Sequence, residues 1–375
     1  MLFYATPDSR NTRTNGEPES TKKGGVSQLP ATLGPGYNFF MIESTIRHIE
    51  AGGDLSMEQM AETIGLVMRG CCADTEVAGL LLALRQKGEC VAEVAGAAAA
   101  MRREMTPIHT QRTGVLDTCG TGGDGSRTFN ISTAAAIVTA AAGVPVAKHG
   151  NIGITSRSGS ADVLAALGVR IDADAARVEA CLDELGICFC YAPLLHGAMR
   201  HVAAVRKKLG VPTIFNILGP LANPAGAPFQ LLGVGRSHLQ PLMAQALALL
   251  GTQRAVVVRG ADGLDEVTLA DVTHVVEVCG GATRSLEWVP AEFGFQRTSL
   301  ESLRVDGAEA SATIIRGILA GRPGPARDIV LTNAAAALWT AGRSPHLSEC
   351  ARQAAEAVDS GAAAELLTRL AEYLR

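Results

Sequence analysis

Ile42, Ile46 and Ile49 recur at helix spacing, and the pair Gly52-Gly53 ends that pattern. A second helical run follows Asp54, Leu55 and Ser56, with Ser56 as a candidate N-cap and Glu58 close behind. Residues 75–87 and 91–104 repeat the period, so residues 41–108 read as a small helical domain. Beyond them the period changes. Residues 115–119, 144–147, 229–234 and 255–259 are short apolar runs with strand character. Helical runs alternate with them at 132–142, which Gly143 closes, and at 162–167, which Gly168 closes. Residues 332–375 read as mostly helical. Such alternation predicts an α/β fold with a mostly parallel central sheet over residues 109–375. Residues 1–40 show no apolar period and are rich in Ser, Thr, Gly, Pro and charge, so a disordered extension is expected there. They lack the apolar centre of a signal peptide and carry acids that a transit peptide avoids.

Composition narrows the class. With 375 residues, 47% of them hydrophobic, the chain has ample material for a large core. A net charge of -4 and an aromatic content of 4% leave neither a basic footprint nor stacking platforms for nucleic acid. The longest apolar runs, such as 134–146, fall short of the roughly 20 residues of a membrane span. The nine cysteines are odd in number and suggest no disulfide framework, which points to the cytoplasm. Cys188 and Cys190 form a C-x-C pair without a second pair, and plain thiols are expected rather than zinc.

The chemistry gathers around a glycine-rich turn. Gly120-Thr121-Gly122-Gly123-Asp124-Gly125 follows a predicted strand, and its glycines let backbone N–H groups approach an anion. The turn literally matches the dinucleotide fingerprint G-x-G-x-x-G. However, no helix opens inside it, and no acid occurs between Asp124 and Asp162 where a nicotinamide site wants one. That demotes NAD more than NADP. Asn130-Ile131-Ser132-Thr133 stands at the start of the alanine-rich helix, where Ser132 or Thr133 can cap it and the free N–H groups attract phosphate. Lys148-His149-Gly150-Asn151 follows the next strand, and Ser156, Ser158 and Ser160 lead into the next helix. Each piece alone reads as ordinary capping. Together they offer N–H groups, hydroxyls and a lysine in an acid-free stretch. Asp265 and Glu266 then follow the strand at 255–259, where adjacent acids suit a divalent cation shared with a diphosphate.

These motifs, with Gly159-Ser160-Ala161-Asp162, the run from Thr213 to Pro224 and Gly263-Leu264-Asp265-Glu266, together resemble the anthranilate phosphoribosyltransferase family in order and spacing from about residue 41 onward. The resemblance implies a nucleoside phosphorylase-like (class IV phosphoribosyltransferase) fold, in which helices near 196–214 return to the helical domain. It implies transfer of a phosphoribosyl group from phosphoribosyl pyrophosphate to the amine of anthranilate, in tryptophan biosynthesis. By matching positions, the donor would meet Gly120, Gly123, Asp124, Thr128, Asn130, Ile131, Ser132, Thr133, Lys148, His149, Gly150, Asn151, Ser156 and Ser160. Ser132, Asp265 and Glu266 would hold Mg²⁺, expected as two ions. Gly120, Asn151 and Arg206 would meet anthranilate, and a homodimer would form through the helical part. A guanidinium such as that of Arg206 is chemically suited to a carboxylate. The acceptor amine is neutral at pH 7, so no general base is assigned; His149 is the one residue considered for receiving the proton.

Two positions depart from the family pattern. Ile152 stands where the motif Lys-His-Gly-Asn normally continues with Arg, and Gly197 stands where His-Pro-Ala-Met has Pro. Three other readings remain open at this point: an NADP-linked oxidoreductase, a pyrimidine nucleoside phosphorylase, and a catalytically silent paralogue that binds the donor.

Overall fold

In the computed structural model the described residues are 35–153 and 158–375. The expected extension therefore lies outside them, except that helix α1, Pro35–Glu50, begins six positions before the expected start at 41. Three more helices follow: α2 (Met57–Met68), α3 (Asp74–Lys87) and α4 (Val91–Glu104). Ser56 caps α2 as expected, and Gln59 completes the capping box by reaching back to the Ser56 N–H. Glu93 is the polar anchor of this layer. It is fully buried, accepts from the Leu55 and Cys90 N–H groups and pairs with Lys87 Nζ at 3.0 Å.

The chain then builds a seven-stranded sheet. In order of appearance come β1 (Leu116–Gly120), α5 (Ile131–Ala141), β2 (Val146–Gly150), α6 (Ser160–Ala166), α7 (Ala175–Leu185) and β3 (Ile187–Tyr191). Short α8 (Ala192–Leu195), α9 (Arg200–Leu209) and short α10 (Phe215–Leu218) precede β4 (Phe229–Gly233), α11 (Leu239–Leu249) and β5 (Arg254–Gly260). An antiparallel pair, β6 (Thr273–Cys279) and β7 (Ala282–Trp288), ends the sheet. Four helices close the chain: α12 (Ala308–Leu319), α13 (Pro325–Thr340), α14 (Leu347–Asp359) and α15 (Ala362–Tyr373).

The strand order is β3-β2-β1-β4-β5-β6-β7, and the first five are parallel. Strands β2 and β3 are laid down on one side of β1, and β4 onward on the other. The gap between the carboxyl ends of β1 and β4 is thus the topological switch point, where open α/β sheets take their ligands.

Alternation along the strands assigns two cores. Val256 and Val258 of β5 face the layer of α5–α7 and α12–α15, whereas Ala255 and Val257 face the other way. That second face packs on α11, and α11 packs on α4, so the N-terminal helices share one core with the sheet. Helix α9 packs on α2 and α3.

Replacing Glu93 by Ala strands Lys87 in this layer and should lower stability by about 3–5 kcal/mol, read from the urea midpoint. A loss under about 1 kcal/mol, within the range of an exposed pair, would mean that Asp54, 2.6 Å from Lys87 Nζ, suffices as its partner.

Candidate active site

Strand β1 ends in Gly120 and β4 in Gly233, and the two are paired in register. Asp265, in the loop after β5, is pressed against both. A Cβ on Gly233 would lie 1.6 Å from the Asp265 carbonyl oxygen, and one on Gly120 would lie 3.0 Å from Asp265 Oδ2. Only glycine leaves room for this acid at the mouth of the switch point. The Gly122 N–H donates to Asp265 Oδ2 at 3.1 Å, and Thr121 N–H donates to Gly233 O at 2.9 Å. The turn is held open by left-handed backbone at Gly122, Gly123 and Gly125.

Three carboxylates meet here. Burial, then the facing Asp124 carboxylate, push Asp265 up to about 7. Burial and Asp265 push Glu266 up as well, against the pull of Lys148. Among the described residues no donor reaches the buried Asp124 Oδ2. Crowded acids with an orphaned acceptor fit a divalent cation. Among the described residues only Asp54, Cys90 and Glu93 bring ligand atoms mutually within 4.8 Å, and Lys87 Nζ already occupies that cluster. The looser set at the switch point suits Mg²⁺, which keeps waters and phosphate oxygens in its shell.

Asn130, rather than Ser132 or Thr133, caps α5: its Oδ1 accepts from Thr133 N–H at 3.0 Å. Residue 131 is already helical, which places Ser132 and Thr133 two and three positions past the cap. The Ser132 hydroxyl donates to Asn130 Oδ1 at 3.4 Å and accepts from Lys148 Nζ at 3.1 Å, while the Ser132 N–H faces Glu266. Thr133 is buried, and among the described residues its hydroxyl has no partner. Thr128 sits beyond the turn, bridged to Arg304.

Lys148 and His149 are part of β2, not of the loop after it. Lys148 is buried and also donates to the Thr118 carbonyl. Burial pushes it below its usual range, and Asp117, Cys119 and Glu266 pull it back. His149 donates its backbone N–H to Asp117 Oδ1 at 3.1 Å. Its Nδ1 lies 3.0 Å from the Gly219 carbonyl, an acceptor, so Nδ1 carries the proton. Nε2 then accepts from His196 Nε2 at 3.1 Å. Burial, with the neighbouring His196, pushes His149 down to about 3, and burial pushes His196 down to about 4.

Gly150 ends β2 because Ser160 Oγ and the Phe189 ring would collide with any side chain there. Asn151 takes the Ile152 N–H on its Oδ1 and the Ala161 N–H on its carbonyl, which ties β2 to α6. Ser160 opens α6, Ser156 lies outside the described residues, and Ile152 is 46% exposed. Arg206 lies on α9 with its guanidinium 5.6 Å from the Phe215 ring centre, and among the described residues no acid pairs with it. Asp117, Asn223 and Gln230 form the floor of the site, a layer that was not foreseen. Gln230 Nε2 reaches Asp117 Oδ2 at 3.5 Å, and Asn223 Nδ2 donates to the Ala147 carbonyl at 2.8 Å. An acid and an amide inside central apolar strands were the signal that could have found them.

Residues 43–105 match the model of the glycosyl transferase family's helical bundle domain, and residues 112–364 match that of its a/b domain. The chain is 51% identical over 327 residues to the anthranilate phosphoribosyltransferase of Rhodopirellula baltica, covering 87% of this chain and 96% of that protein. The crystal structure of the Thermus thermophilus enzyme of that name superposes with a TM-score of 0.82 at 44% identity, covering 88% of this chain and 99% of that one. The Saccharomyces cerevisiae enzyme in complex with PRPP and Mg superposes with a TM-score of 0.80 at 29% identity, over 89% and 99% of the two chains. The fold and site thus define a two-part glycosyltransferase of the phosphoribosyl-transferring kind. Within that class, the chain belongs to the anthranilate phosphoribosyltransferase family.

The two buried imidazoles make stability depend on pH. Their folded values lie below the unfolded 6.5, so the unfolded chain takes up protons that the folded chain refuses as pH falls from 6.5 toward 4. Each ring should remove up to roughly 2 kcal/mol between pH 7 and pH 5. Urea midpoints at both values should fall less for His149→Asn than for the wild type; an equal fall would show that the pair takes up protons in the folded state.

Proposed function

We propose that this chain transfers the phosphoribosyl group of phosphoribosyl pyrophosphate to the amine of anthranilate. The observation that carries this reading is the convergence, at one switch point, of a glycine turn, the start of α5 and three crowded carboxylates. The donor has two anionic ends. Backbone N–H groups of the turn from Gly120 to Gly125 and of Asn130 to Thr133 meet them, with hydroxyls from Thr128, Ser132 and Ser160. Asp124, Asp265 and Glu266, with Ser132, hold Mg²⁺, and the number of carboxylates suits two ions. Bound Mg²⁺ supplies Lewis-acid stabilisation of the departing diphosphate.

The anthranilate nitrogen attacks C1 of the ribose, the C1–O bond to diphosphate breaks, and its electron pair leaves with the diphosphate. The new N–C1 bond forms as the nitrogen loses a proton to solvent or to the diphosphate. His149 takes no part in that proton transfer, because both ring nitrogens are engaged inside the fold. It is a positioning residue that holds β2 against the Gly219 carbonyl. Rate comes from orientation and charge stabilisation. Arg206, with no acid of its own, receives the acceptor's carboxylate beside Gly120 and Asn151. Two copies associate through the helical layer, and the protein works in the cytoplasm. Among the described residues no helix is long and apolar enough to cross a membrane.

A donor-dependent loss of anthranilate fluorescence with Mg²⁺ tests the reading; no loss, with the donor still binding in calorimetry, leaves a silent donor-binding paralogue. Arg206→Ala should raise the anthranilate KM by a factor equivalent to roughly 1.5–3 kcal/mol, and an unchanged KM removes Arg206 from the acceptor pocket. Ile152 is exposed at the end of the Lys148–Asn151 run, so Ile152→Arg should leave kcat/KM equal or higher. A severe loss in a folded variant would show that the pocket is built around an apolar residue there.

A further inference from the structure

At the opposite, amino-terminal end of β4 and β5 lies a cavity of about 300 Å³, bounded by the end of α4, the segment before β4 and the turn after α11. That volume is at the lower end of the range for ligand pockets, roughly 300–1,000 Å³. Its one charged wall is Arg102, from the last turn of α4. The Arg102 Nε donates to the Leu221 carbonyl at 2.7 Å, and among the described residues nothing accepts from its two Nη groups. Burial pushes this guanidinium below its usual range, with no acid to oppose the shift. The end of α11 does not compensate it, because the carbonyls of Ala246, Leu247 and Ala248 are taken by the N–H groups of Leu250, Thr252 and Gly251. The remaining polar wall is neutral: Asn223, Gln230, Thr252 and Gln253. A half-buried guanidinium facing neutral amides and a hydroxyl lacks one negative charge.

We propose that this cavity is a second ligand site, taking a small carboxylate of single negative charge whose carboxyl group pairs with the Arg102 Nη groups. A single guanidinium suits one negative charge and a planar bidentate partner. A phosphate dianion would leave its second charge unmatched. The site also reaches the reaction centre. Gln230 Nε2, in its wall, donates to the Pro220 carbonyl at 2.6 Å and approaches Asp117, which holds the His149 N–H. Asn223, in the same wall, holds the Ala147 carbonyl of β2. Occupancy therefore bears on the strand that carries Lys148 and His149.

Calorimetric titration of the full chain with L-lactate, N-acetylglycine and 5-oxoproline, and with inorganic phosphate for comparison, tests this. At least one carboxylate should bind saturably and weaken tenfold or more in Arg102→Gln, with part of the affinity kept in Arg102→Lys. Ala227→Leu fills the cavity from another wall without touching the guanidinium and should weaken the same ligand. The idea is overturned if no carboxylate binds, or if binding survives both Arg102→Gln and Ala227→Leu. Phosphate binding more tightly than every carboxylate, in an Arg102-dependent way, would overturn the assignment to a carboxylate. Binding unchanged in Arg206→Ala places the ligand away from the acceptor position, whereas loss there would place it in the reaction site. The titration needs no turnover, so its failure is separate from failure of the transferase assay.

Discussion

The site depends on one close approach. Asp265 can enter the gap between β1 and β4 only because both strands end in glycine at the same level. A methyl group on Gly233 would overlap the Asp265 backbone, which has no flexible end to swing aside. From that contact the rest follows. Asp265 takes the Gly122 N–H and so fixes the course of the turn. The turn brings Asp124 up to Asp265, and burial together with that neighbouring carboxylate pushes the Asp265 carboxyl up. A bound divalent cation would relieve the crowding of these carboxyl groups.

A second layer supports the first from beneath. Asp117 is fully buried in β1, and its carboxylate is divided between the backbone of β2 and the Gln230 amide of β4. It is also the charge that most opposes the effect of burial on Lys148. Lys148 in turn reaches the hydroxyl of Ser132 at the start of α5. One acid thus ties three adjacent strands and a helix start into a single register. Removing any member would leave a buried charge without its partner, which is more damaging than never having placed it. The imidazole pair extends the same layer toward the helical side, since His149 rests on the Gly219 carbonyl and His196 on His149.

Much of this was legible in the order of residues. The helical period of 75–87 and 91–104 matches α3 and α4 to within one residue, because those segments carry both the apolar stripe and flanking acids and bases in the right turns. The glycine turn and the acids at 265 and 266 were legible because their composition is unusual for either element. Other features were hidden for physical reasons. The expected strand at 144–147 stopped short, because Lys148 and His149 look like loop residues until their buried partners are known. The antiparallel pair β6 and β7 alternates polar and apolar residues with an exposed outer strand, a weaker signal than the buried parallel runs. Asn130 as the cap of α5 was passed over because Ser132 and Thr133 are equally good caps in isolation. Asp117 and Gln230 speak only as a pair, and register is a property of the sheet rather than of either strand.

The two faces of the sheet pack differently. One face of the sheet is sealed by α5–α7 and α12–α15 with almost purely apolar contacts. The other face carries the polar residues of β1 and β4 and packs on α11 and the N-terminal helices. Arg206 hangs from this second layer on α9, and Arg102 is also part of it, on α4. Among the described residues neither guanidinium has an acid partner. An anion bound at either one would link the helical layer to the strands through charge rather than through apolar packing.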